Sequence, residues 1–175
     1  MDQAVRVLVL LLVGGAAMTA LAAAAVWWLD PARRIARLLE KALGGSVDAV
    51  LAAPARGQGA ALKLDTAKIA IVRDFTDAGL IFELNELIGA ELIFDGQVCA
   101  RAFRGEGRKA LDRIDPDVSR VMLRLVFDDV RDPEFELELW TAADPPKPGQ
   151  DGPSAVQAAR KWFARLEAVL RQPSG

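Results

Sequence analysis

Apolar and polar positions in this chain follow different spacings in different stretches, and each stretch predicts an element. From Val7 to Leu29 no side chain is charged, a run of 23 residues. A helix rising about 1.5 Å per residue needs about 20 such residues to cross a hydrocarbon core of about 30 Å, and lipid offers no partner to an open backbone. A membrane-spanning helix is therefore predicted. Next, Ile35, Leu38, Leu39, Ala42 and Leu43 recur at helical spacing between Asp30-Pro31 and Gly44-Gly45. Asp30 supplies a cap, Pro31 suits a first helical position and the glycines end the element. This amphipathic helix has two homes open to it: the anionic membrane surface or the body of the protein.

From about Leu62 the spacing falls to two residues. Strands are predicted within Lys63–Arg73, over Leu80–Leu84, Ala90–Phe94, Gln97–Phe103 and Val121–Phe127, and around Phe135–Leu139. Asp95-Gly96 is a strong short hairpin signal between two of them. Across the turn 128–134, Phe127 is expected to face Phe135, which sets Arg124 opposite Glu138. Helical spacing returns at Val156, Ala159, Phe163, Leu166 and Leu170, with Trp162 alongside. Ser154 is the expected cap, with Gln157 three residues on, and Pro173 the expected stop.

Between these elements, the stretch Ala-Ala-Pro-Ala-Arg-Gly-Gln-Gly-Ala-Ala (52–61) reads as loose loop. Residues 104–119 read as a long exposed connection with a short helix around Lys109–Ile114. The organisation that follows is a tail and single transmembrane helix over 1–29 and a juxtamembrane amphipathic helix over 30–45. A linker over 46–61, a β-rich domain with its C-terminal helix over 62–171, and a tail over 172–175 complete it.

Charge gives the span a direction. Residues 30–45 carry four basic and two acidic side chains, whereas residues 46–175 carry 17 basic and 21 acidic ones. Basic residues crowding the C-terminal flank of the span predict a cytoplasmic body and an external N-terminus in a bacterial inner membrane, anchored by a single pass. A cleaved signal peptide fits poorly, because its apolar stretch is shorter and its positive charge comes first. Trp27 and Trp28 are expected at the headgroup layer with Arg33, Arg34 and Arg37 beside them. Gly15, Ala16, Thr19, Ala20 and Ala24 offer a small-residue face to another membrane helix.

Composition limits the chemistry. The chain has no histidine, which removes Ser–His and Cys–His nucleophiles and imidazole zinc ligands. Cys99 is the single cysteine, so no intrachain disulfide forms. A mildly acidic body without a basic stripe argues against nucleic acid. Asp128, Asp129, Asp132 and Glu134 crowd one turn but lack calcium-loop spacing. No catalytic residue, cofactor or metal site is expected. Arg104, Arg108 and Lys109 form the one candidate anion contact, in a glycine-containing basic loop.

The order of elements, strands first and one amphipathic helix last, resembles a bacterial pleckstrin-homology-like (PH-like) domain over about 62–171. The similar segments are Phe82-Glu83-Leu84-Asn85-Glu86-Leu87-Ile88-Gly89-Ala90-Glu91-Leu92-Ile93-Phe94-Asp95-Gly96 and Leu123-Arg124-Leu125-Val126-Phe127-Asp128-Asp129, followed by Asp132-Pro133 and Phe135-Glu136-Leu137. The resemblance implies an α+β, mainly antiparallel fold: a bent sheet, sandwich or barrel, closed by the C-terminal helix. It also implies a binding or scaffolding module without catalytic residues. The expected role is a non-catalytic accessory or assembly component that meets protein partners at the cytoplasmic membrane face. The alternatives are an anionic-lipid sensor and, further off, a carboxylate-based enzyme.

Overall fold

A computed structural model describes residues 3–75, 79–106, 109–110, 118–146 and 150–172, with side chains left undescribed at 4–6, 26, 109 and 110. Helix α1 is Gln3–Leu29, and none of its most apolar window is buried against the rest of the chain. It is long and apolar enough to cross a membrane. Asp30 then turns the chain, its carboxylate accepting the Ala32 N–H at 3.1 Å, and α2 runs over Pro31–Ala42. Gly44 and Gly45 take positive φ, and their N–H groups close back on the carbonyls of Lys41 and Glu40. That double closure satisfies the last carbonyls of α2 and ends it where the glycines predict.

The body is α+β with two antiparallel sheets. Sheet A is a meander of β1 Ala49–Ala53, β2 Gln58–Lys63, β3 Lys68–Val72 and β4 Leu80–Glu83, in that spatial order. Sheet B contains β5 Leu87–Phe94, β6 Gln97–Phe103, β7 Lys109–Ala110, β8 Arg120–Phe127 and β9 Glu134–Thr141, ordered β7-β6-β5-β8-β9. Helix α3, Gly152–Leu170, packs on sheet B against β5 and β8.

The expected linker over 46–61 is replaced by β1, its turn and β2, so the β body begins about a dozen residues earlier than residue 62. Ala and Gly are poor strand signals, but here they have a packing reason. Sheet A is buried on both faces. Ala60, Leu62, Ile69 and Ile71 point into a core shared with sheet B and α3, while Ala61, Ala70 and Val72 receive Ile35, Leu39 and Leu43. Small residues on that second face let α2 lie close to the sheet. The amphipathic face of α2 is therefore spent on the body.

Three further expectations are corrected. The β8–β9 register places Leu125 opposite Phe135, Arg124 opposite Glu136 and Met122 opposite Glu138, two residues from the expected alignment. Both alignments keep the same faces, because strand side chains repeat every two residues, so alternation cannot separate them. The α3 cap is Asp151, whose carboxylate accepts the Ser154 N–H at 2.8 Å; Gly152 and Pro153 fill the first turn that Ser154 was expected to begin. Lys109 and Ala110 form a short strand instead of starting a helix, while 111–114 and Pro173 lie outside the described residues. The Asp95-Gly96 hairpin is as expected, with both residues at positive φ. Asp95 also accepts the N–H groups of Ser119 and Arg120, which docks the hairpin on the start of β8.

The α3 stripe is core. Ala159, Trp162, Phe163, Leu166 and Leu170 are buried in the shared cluster, with Val156 partly so. Cys99 is partly buried at its edge. Arg56, on the β1–β2 turn, reaches sheet B, with its guanidinium 2.6 Å from Glu138 and 2.9 Å from Asp144. Arg120 takes the other oxygen of Glu138. Arg124 lies between Glu91 and Glu136 at 2.9 and 2.7 Å, linking β5, β8 and β9. Hydrogen bonds to Glu138 and Glu136, respectively, hold the Arg56 and Arg124 guanidiniums more firmly protonated than usual.

Candidate membrane-interface site

The end of α1 and the first turns of α2 form one unit. Trp27 and Trp28 are 57% and 62% exposed, so both rings are open to their surroundings. Arg33 stacks its guanidinium 4.1 Å above the Trp27 ring, and Arg37 lies 4.5 Å from the centre of Trp28. Arg37 also donates to the Trp28 carbonyl at 2.8 Å, one of the carbonyls left open at the end of α1. Asp30 sits 3.4 Å from Arg33. Arg34 points elsewhere, over the Phe75 ring at 5.2 Å. Four of the five expected interface residues thus meet directly, and Arg34 instead braces α2 against the body.

Helical spacing explains the pairing. Arg33 and Arg37 are four residues apart and share a side of α2, opposite the row of Ile35 and Leu39 that the sheet buries. A cation over an indole is worth roughly 0.5–1 kcal/mol when exposed and more when desolvated. Indole and guanidinium both favour the headgroup layer, where their apolar faces and polar edges are each satisfied. Higher up α1, Thr19 donates its hydroxyl to the Gly15 carbonyl at 2.9 Å.

The candidate anion contact is dispersed. Arg104 is committed to the protein's own backbone: Nη2 donates to the carbonyls of Leu84 at 2.7 Å and Leu87 at 3.0 Å, and Nη1 to that of Gln172 at 3.2 Å. It ties the β4–β5 turn to the end of α3. Arg108 lies outside the described residues, and Lys109 holds a register position opposite Arg101 on β6. In the acidic turn, Asp129 accepts the N–H groups of Arg131 and Asp132, and these bonds, Asp132 first, hold its carboxyl below the usual range. Asp132 pairs with Arg73 at 3.2 Å. Among the described residues no three metal-ligating side chains cluster.

Sequence reasoning missed the Arg56–Glu138–Arg120 bridge and the Arg104 clamp, since both join elements far apart in the chain. The alternation of Glu134, Glu136 and Glu138 was the one local hint of a charged sheet face. Comparison with protein-family models, with curated proteins and with solved structures gives no match to this chain.

Proposed function

We propose that this protein is a single-pass, membrane-anchored interaction module. Helix α1 spans the bilayer with the N-terminus outside, and the β-rich body stands at the cytoplasmic face of a bacterial inner membrane as an accessory or assembly component for protein partners. The observation that carries this reading is the stacking of Arg33 and Arg37 on Trp27 and Trp28, which builds one headgroup-level joint from the end of the span and the start of the body. Because α2 is packed on sheet A, the joint transmits the position of α1 to the whole domain. Tethering raises the effective concentration of the body near membrane-bound partners without any new contact.

A PH-like fold for the body is part of the same proposal. Two antiparallel sheets around one core, with a C-terminal helix packed against it, support that reading; β8 pairing on the far side of β5 from β6 is a departure from a simple meander. The lipid-sensing alternative loses Arg104 to backbone carbonyls and the apolar face of α2 to sheet A. Protease treatment of sealed vesicles tests the topology. The body should be digested in inside-out vesicles and protected in right-side-out ones, and the reverse pattern overturns the orientation.

A further inference from the structure

Strand β1 ends sheet A: β2 pairs with one of its edges, and no described strand hydrogen-bonds to the other. On such an edge alternate N–H and C=O groups point away from the sheet, ready to pair with another extended chain. Two clefts lie along it. One, of about 220 Å³, is walled by Leu51, Ala52 and Pro54 on the β1 side and Ser154, Ala155 and Ala158 on α3, with Leu139 and Trp140 of β9 and Ala32 of α2 completing it. The other, of about 200 Å³, is walled by Asp48 and Ala49 on one side and Arg165, Ala168 and Val169 on the other. β1 and α3 each contribute to both clefts, so the two are taken together as one trough, with β9 beside β1 at the first.

The α3 wall has a pattern. Ser154, Ala158, Lys161, Arg165, Ala168 and Gln172 follow one another in steps of three and four and so share one row of the helix. Small residues, Ser154 and Ala158 before and Ala168 after, flank two cations in its middle. Lys161 and Arg165 are exposed, and among the described residues neither makes an ion pair or hydrogen bond. The sole carboxylate of α3, Glu167, is buried and paired with Arg171. From Ser154 to Ala168 the row runs roughly 20 Å. The five residues of β1 extend about 17 Å, so the walls match in length.

We propose that this trough binds an extended acidic segment of a partner protein, which adds as a strand to β1. Its alternate apolar side chains fill the two clefts and its carboxylates meet Lys161 and Arg165. The inference deepens and rests on the reading of the body as a protein-interaction module. An extended peptide satisfies a strand edge and two cations together, whereas a lipid headgroup satisfies the cations alone.

The test uses the full chain in nanodiscs of neutral lipid and a fluorescein-labelled, capped nonapeptide alternating valine and glutamate. Saturable binding is expected, with hydrogen-exchange protection over Ala49–Ala53, and weakening of about tenfold or more in K161E/R165E and less in K161Q/R165Q. N-methylation of alternate peptide amides should abolish binding. Equal binding of a valine–lysine peptide, or affinity unchanged in both variants, overturns the proposal. Failure of the acidic peptide in neutral discs, with Lys161 and Arg165 protected only when anionic lipid is added, makes the row a lipid contact and also overturns it. Membrane fractionation of the same sample separates the two readings: no binding by protein that still sits in the bilayer sinks the trough alone, and protein lost from the bilayer sinks the anchored module.

Discussion

Ile35 of α2 occupies the space that a β-carbon on Gly59 would need, with Leu39 3.2 Å from the same point. The helix that follows α1 is thus seated on sheet A at a position where β2 carries no side chain. This contact couples α2, and through it the end of α1, to the body.

Replacing Gly59 by alanine should push α2 off the sheet and cost about 1–3 kcal/mol, the usual range for overpacking a dense interface. Urea denaturation of the protein in micelles measures it. Ile35→Ala in the same chain should recover part of the loss, because the two side chains compete for one volume. Strictly additive losses would contradict the contact.

Arg104→Met should lower stability by about 2–3 kcal/mol, since it strips a charged donor from the carbonyls of Leu84, Leu87 and Gln172. Lysine should restore only part, lacking the fork that reaches several oxygens. Affinity of the body for anionic vesicles should stay unchanged in both variants. A drop in vesicle binding at unchanged stability would return Arg104 to an anion-contact role.

Trp27→Ala with Trp28→Ala should loosen the joint between α1 and α2, removing two cation–ring contacts of roughly 0.5–1 kcal/mol each. Distances between spin labels on α1 and on sheet B, taken in nanodiscs, should broaden. An unaltered distribution would mean that the backbone turn at Asp30 alone sets the angle.

The start of α3 should weaken in acid. Hydrogen bonds from Ser154 hold the Asp151 carboxyl below the ordinary aspartate range. A carboxyl depressed in the folded state adds stability above the ordinary range, about pH 4, and loses it as pH falls through the lower folded value. Protection factors for hydrogen exchange at the first turn of α3, corrected for the intrinsic pH dependence, should therefore fall below about pH 4. Asp151→Asn, which caps without titrating, should remove that dependence.

Local pattern carried much of the architecture. Val7–Leu29, Asp30 with Gly44-Gly45, the Asp95-Gly96 hairpin and the α3 stripe were all legible, because each depends on neighbours within about four residues. Ala49–Ala53 and Gln58–Lys63 were hidden because their small residues look loop-like until α2 is laid on them. The β8–β9 alignment was equally invisible to alternation, since a shift of two leaves every face unchanged. Of the interface residues, Trp27, Trp28, Arg33 and Arg37 meet across the turn at Asp30, and Arg104 is held by carbonyls from two distant elements.

By itself, then, the sequence determined the apolar span, the capped helix after it and the alternation of the strands, all consequences of short-range geometry and hydrophobic periodicity. Tertiary structure alone decided that α2 belongs to the body, that Arg104 holds carbonyls of the β4–β5 turn and the end of α3, and that β1 and α3 line the same two clefts. These outcomes rest on volumes and hydrogen-bond partners brought together from remote parts of the chain, and no local spacing encodes them.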